Sequence, residues 1–165
     1  MAVIPRLLYV LALVVAPIVV WTTSAALPGR VASHFGRGGL ANGFMNHDTY
    51  LVFMLAMTTL VPLCVVAMTG FIPRVAISQI GRRKRDFWLS PQRRDATLGW
   101  LASHACFMGV LLSAFLVGIH LLTVEANARS PARLDESAAF AAVAAFVVLL
   151  IVWIGALALR FARMR

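Results

Sequence analysis

Histidines carry most of the chemistry this chain offers near neutral pH. His34, His47 and His120 are expected at the same end of the molecule, with Asp48 and Glu125 near them. Imidazole and carboxylate together can bind zinc, or form a proton-sensing cluster because histidine titrates near pH 7. The spacing matches no metal motif, HExxH being absent, so no metal site is expected. Ordinary hydrogen bonding is the simpler expectation, since buried polar groups are satisfied structurally. His104 lies inside an apolar run, with Cys64 and Cys106 expected at similar depth. Ionisable groups within a span are functional candidates. His104 and Cys106 are two apart, however, and do not share a helix face. Ser33 beside His34 is adjacency in sequence, which says nothing of catalytic geometry. No Gly-Lys-Ser/Thr follows the glycines, so no phosphate loop is present. The chain is therefore read as a non-enzyme, with no catalytic residue and no cofactor.

The elements that must position these residues follow from composition. Of 165 residues, 61% are hydrophobic and 13% charged, with mean hydropathy +0.87. Soluble domains are about half apolar and roughly a quarter charged. A bilayer-spanning helix needs about 20 apolar residues. Four segments meet this, at about 7–27, 50–72, 98–124 and 138–159, and none carries Asp, Glu, Lys or Arg inside. In lipid the backbone must satisfy itself, which a helix does within one segment. The expectation is an all-α membrane protein, residues 1–165 forming a single domain of four transmembrane helices.

The formal charge is +9. Arg74, Arg82, Arg83, Lys84, Arg85, Arg93 and Arg94 lie in the loop 73–97; Arg160, Arg163 and Arg165 lie in the tail, and Arg6 near the start. Only Arg30, Arg37, Arg129 and Arg133 fall on the other side. The positive-inside rule predicts both termini in the cytoplasm and the loop after the first helix outside. "SAA" at Ser24–Ala26 admits signal-peptide cleavage, but an odd number of spans would then oppose the charge count. The run Arg82–Arg85 predicts contact with anionic headgroups. No nucleic-acid motif surrounds it.

Pro17 and Pro62 sit mid-span and predict kinks, freeing the carbonyls of Leu13 and Thr58. Gly109, Ser113 and Ala114, and the alanines of the last span, predict close helix packing. Ser90 followed by Pro91 predicts that the third helix begins near Ser90, serine capping and proline at the first position. Phe87 and Trp88 just before it read as interface anchors.

The loop 27–47 opens with "LPGRVASHFGRGGLANGF". Pro28 and Gly29 are expected to end the first helix. Gly36, Gly38, Gly39 and Gly43 permit φ > 0, and Asn42–Gly43 reads as a turn pair. The loop is expected to be a folded cap. Leu27, Pro28, Val31, His34, Phe35, Gly39, Asn42, Gly43 and Phe44 give this stretch a likeness. It resembles the signature of the bacterial membrane domain of unknown function found at the N-terminus of SdpI-type immunity proteins. "DFWLSPQRRDATL", with Trp88, Pro91, Arg94 and Thr97, resembles a second element of that family. The likeness covers Leu27–Leu98. It departs at Gly36, Ala41 and His47, where the family favours Asn/Asp, Pro and a basic residue.

The resemblance implies a bacterial inner-membrane location and an immunity or signalling role against a secreted peptide. Candidate ligand-binding residues are His34, Phe35, Gly39, Asn42, Gly43, Phe44, His47 and His120. Candidate partners are the anionic bilayer, a peptide toxin, or a membrane or cytoplasmic protein. The alternative is a small transporter or complex subunit, with Pro17 and Pro62 at the midplane and His104 and His120 lining a path.

Overall fold

The computed structural model of the chain describes residues 3–79 and 86–162, with side chains described through residue 69 and again from residue 86. Four long helices dominate it: α1 (Val3–Ser24), α2 (His47–Gln79), α3 (Arg94–Asn127) and α4 (Glu136–Ala162). Each is long and apolar enough to cross a membrane, consistent with an all-α multi-pass membrane protein. Between α1 and α2 lies a two-stranded antiparallel hairpin, β1 (Arg30–Phe35) and β2 (Ala41–Asn46), closed by a 3-10 turn at Arg37–Gly39. The run Arg82–Arg85 lies outside the described residues.

The helices form because apolar side chains clothe a backbone that pairs with itself. Both prolines are absorbed: α1 continues through Pro17 and α2 through Pro62. The Tyr9 hydroxyl donates to the Pro62 carbonyl (3.2 Å), tying α1 to α2 beside the proline. Thr58, fully buried, donates to the Met54 carbonyl (2.8 Å).

α3 is the central helix, packed against α1, α2 and α4. Its inner stripe includes Ala105, Gly109 and Ser113, one turn apart and all buried. A Cβ on Gly109 would stand 2.5 Å from the Tyr9 ring, so the glycine allows α1 and α3 to close. Ala114, by contrast, is exposed. Val20, Leu27, Val31, Tyr50 and Met54 form a core where the hairpin meets the helices. α4 has no buried residue. It is held to α3 by a Phe115–Phe146 stack (4.4 Å) and by His104, sandwiched between Trp100 (4.5 Å) and Trp153 (4.4 Å).

Several boundaries differ from the sequence reading. α1 ends at Ser24, before Pro28, through turns in which Ala26 N–H reaches the Thr23 carbonyl and Leu27 N–H the Ser24 carbonyl. α3 starts at Arg94 and not at Ser90. The Ser90 hydroxyl donates backward to Phe87, and its carbonyl accepts from Arg93 and Arg94, so Ser90 closes a turn instead of capping the helix. Asn42–Gly43 lies within β2; the hairpin turns at Gly36–Leu40, where Gly36 N–H donates to the Leu40 carbonyl (2.8 Å). Positive φ occurs at Gly38 (78°) and Gly39 (73°), and not at Gly36 or Gly43.

Candidate functional site

The hairpin is fastened from below and from one side. Asn127, the last residue of α3, holds both backbone groups of Ala32: Oδ1 accepts its N–H at 2.8 Å and Nδ2 donates to its carbonyl at 2.9 Å. From the side, the α3–α4 connection pairs with the turn. Leu134 N–H donates to the Gly39 carbonyl (2.8 Å) and Ala41 N–H to the Ala132 carbonyl (3.2 Å). Arg133 Nε donates to the Gly38 carbonyl (3.0 Å), and Glu136 accepts from Gly38 N–H (2.9 Å). The connection is itself ordered by Asp135, whose carboxylate accepts from the Ser137 hydroxyl (2.6 Å) and from the N–H groups of Ser137 (3.0 Å) and Ala138 (3.1 Å). The Ser137 hydroxyl first, and then the Ala138 N–H, hold the Asp135 pKa below the ordinary carboxylate value.

The glycines explain themselves within this frame. A Cβ on Gly39 would lie 2.2 Å from the Leu134 carbonyl oxygen, and one on Gly43 would lie 2.8 Å from His34 Cβ. Gly39 admits the neighbouring connection; Gly43 lets His34 cross the opposite strand at their paired position.

The face left exposed carries Arg30, His34, Asn42 and Phe44. His34 Nδ1–H donates to Asn42 Oδ1 (2.5 Å), an oxygen that can only accept. The Arg30 guanidinium lies over the Phe44 ring at 4.6 Å. Phe44 remains 46% exposed and Leu40 50% exposed, an apolar component beside polar groups.

The predicted residues therefore separate into three places. His34, Asn42, Gly43 and Phe44 share the hairpin, with Phe35 half-buried at the end of β1 and Gly39 buried under the connection. His47 starts α2 and is a latch: its Nε2–H donates to the Ser24 carbonyl (3.0 Å), and its Nδ1 lies 3.2 Å from Asp48. His120 is fully buried among the helices. The Thr23 hydroxyl gives its hydrogen to Val19 (2.6 Å), so His120 Nε2–H must donate to Thr23 Oγ1 (2.8 Å). That leaves Nδ1 to accept from the Tyr50 hydroxyl (3.0 Å). Both nitrogens are engaged, and the ring joins α1, α2 and α3 away from the exposed hairpin face. Among the described residues, no three His, Cys, Asp or Glu side chains gather as a metal site would need.

His104 and His120 face different neighbours, His120 bonding Thr23 of α1 and Tyr50 of α2. The 1.5 Å rise separates them by about 24 Å along α3, and His104 faces α4, donating from Nε2 to the Trp153 carbonyl (3.1 Å). Of the second predicted element, Trp88 and Thr97 meet, the Thr97 hydroxyl donating to the Trp88 carbonyl (3.0 Å), while Pro91 and Arg94 stay exposed.

Sequence reasoning passed over Asn127, Tyr50 and Thr23. Asn127 alone left a signal, a lone amide at the end of an apolar run. Tyr50 at a span start reads as an interface residue, and only tertiary contact reveals its partner. No protein-family model matches the chain, and neither a curated protein nor a solved structure does.

Proposed function

We propose that this chain is a non-enzymatic protein of the bacterial inner membrane, with both termini cytoplasmic and the hairpin outside. Its exposed hairpin face recognises an extracytoplasmic peptide or ligand, in an immunity or signalling role of the SdpI type. One observation carries this reading. The hairpin is clamped through its backbone by Asn127, while Arg30, His34, Asn42 and Phe44 remain exposed on it. A loop whose only task is to connect two helices needs neither strands nor clamp. A preorganised surface loses less freedom on binding than a mobile one. Aromatic residues and arginine are the side chains enriched at the centres of interfaces. The orientation rests on the distribution of Lys and Arg.

The test is purification of the wild type and of His34→Ala, Asn42→Ala and Phe44→Ala from native membrane in mild detergent, with mass spectrometry of co-purifying peptides. A peptide present with the wild type and lost from the variants, at unchanged helix content, is the expected result. Equal recovery from all four proteins would remove the hairpin from recognition. Solute or proton flux into vesicles holding the purified chain would instead favour a small transporter.

A further inference from the structure

A second surface lies at the far end of α3. The helix rise puts Trp100 about 40 Å from Asn127, close to the roughly 40–45 Å thickness of a bilayer with its headgroup layers. If the hairpin stands at one headgroup layer, the surroundings of Trp100 stand at the other.

There the ends of α3 and α4 enclose a groove of about 590 Å³ lined by Trp88, Arg93, Thr97, Trp100, Leu159 and Arg160. Two of these residues are cationic and none of the groove's lining is a carboxylate. Arg160 lies over both indoles, 5.4 Å from the Trp88 ring and 5.7 Å from that of Trp100. Among the described residues, it pairs with no carboxylate. Arg93 lies 3.8 Å over Phe87. Trp88 is buried, and among the described residues its indole N–H has no acceptor. A buried donor without an acceptor is costly, and a native structure usually gives it one. Trp100 and Ala96 also border a second groove of about 630 Å³, lined mostly by apolar groups of Ile4, Pro5, Gly99 and Phe107, with Ser103 and His104.

We infer that this is a binding site for an anionic phospholipid, whose phosphate sits against Arg160 and whose acyl chain follows the apolar groove along α1 and α3. Guanidinium is the side chain best suited to phosphate, being always charged and able to donate two parallel hydrogen bonds. Stacking on Trp88 and Trp100 orders Arg160 before the ligand arrives. The depth, the charge and the adjoining apolar groove select a lipid over a soluble anion. None of this rests on the Arg82–Arg85 run, which lies outside the described residues, and the site stands whether or not the hairpin recognises a peptide.

The test is native mass spectrometry of the purified full chain titrated with phosphatidylglycerol and with phosphatidylcholine. Wild type is expected to retain phosphatidylglycerol selectively, and Arg160→Gln to weaken that retention about fivefold, the effect of one basic residue at an anionic surface. Phosphatidylcholine binding should not change. Arg160→Lys, which keeps the charge without the planar fork, should fall between them, and Trp88→Phe should weaken retention with its ring kept. Neutralising Arg82–Arg85 should leave selective retention in place. Wild-type retention by a folded Arg160→Gln, or loss confined to the Arg82–Arg85 variant, would overturn the site. Displacement of the lipid by inorganic phosphate would overturn its assignment to a lipid. Should Arg160→Gln not fold, Arg160→Lys and Trp88→Phe decide the matter by the same readout.

Discussion

Asn127 grips Ala32 as a strand would, accepting from its N–H at 2.8 Å and donating to its carbonyl at 2.9 Å. One side chain at the end of a membrane helix thus substitutes for a missing third strand of the hairpin. Ala32 is completely buried, so losing the amide leaves both its backbone groups without partners. Asn127→Ala should destabilise the protein by about 1–3 kcal/mol. Asn127→Asp keeps the acceptor and loses the donor, and should fall between wild type and alanine. Thermal unfolding in detergent measures the order. Hydrogen exchange should quicken at Ala32 first and leave the helix centres protected.

The adjacent glycines 38 and 39 should respond differently to one methyl group. Both have positive φ, which costs a non-glycine residue about 1–2 kcal/mol. A Cβ on Gly38 meets nothing, whereas one on Gly39 meets the Leu134 carbonyl at 2.2 Å. Gly38→Ala should therefore lose only the backbone cost. Gly39→Ala should lose that and also push the α3–α4 connection off the turn. Unfolding midpoints should rank wild type above Gly38→Ala and Gly38→Ala above Gly39→Ala. Equal losses would mean that the connection yields freely.

These contrasts show what a single chain reveals. The four spans are legible because length and apolarity alone satisfy the requirements of lipid. The hairpin is not. Asn42–Gly43 carries the strongest local turn signal, yet the turn forms at Gly36–Leu40, where Leu134 and Ala132 supply partners from a segment distant in sequence. Gly43 is needed instead for the crossing of His34. Likewise His34, His47 and His120 look alike as letters. Their partners, Asn42, Ser24 and the Thr23–Tyr50 pair, assign one to the surface, one to a latch and one to the core.

Acid should loosen the connection beside the hairpin through Asp135. Its folded pKa is depressed, so the carboxylate stabilises the fold above its unfolded value of about 3.9. That contribution is lost as pH falls through the lower folded value. Asp135→Asn removes the titration. The melting temperatures of wild type and Asp135→Asn should differ near neutral pH and converge below about pH 3.9. A constant gap down to the acid limit would show that the carboxylate charge is not what orders Ser137 and Ala138.

The attachment of α4 depends on few contacts, which makes it the easiest helix to release. His104 and Trp153 exchange hydrogen bonds across the seam, Nε2 to carbonyl at 3.1 Å and indole Nε1 to carbonyl at 2.9 Å, with their rings 4.4 Å apart. Trp153→Phe keeps a stacking ring and loses the indole donor. Trp153→Leu loses the ring as well, and with it about 0.5–1.5 kcal/mol of aromatic pairing. Since α4 buries no residue fully, the seam has little else to fall back on. A cysteine pair placed across Phe115 and Phe146, with both native cysteines replaced, reports the seam by its rate of disulfide formation. Trp153→Phe should slow cross-linking modestly and Trp153→Leu strongly, with α1–α2 packing around Tyr9 and Pro62 unchanged. Unaltered cross-linking in Trp153→Leu would mean that contacts other than the His104–Trp153 pair hold α4 in place.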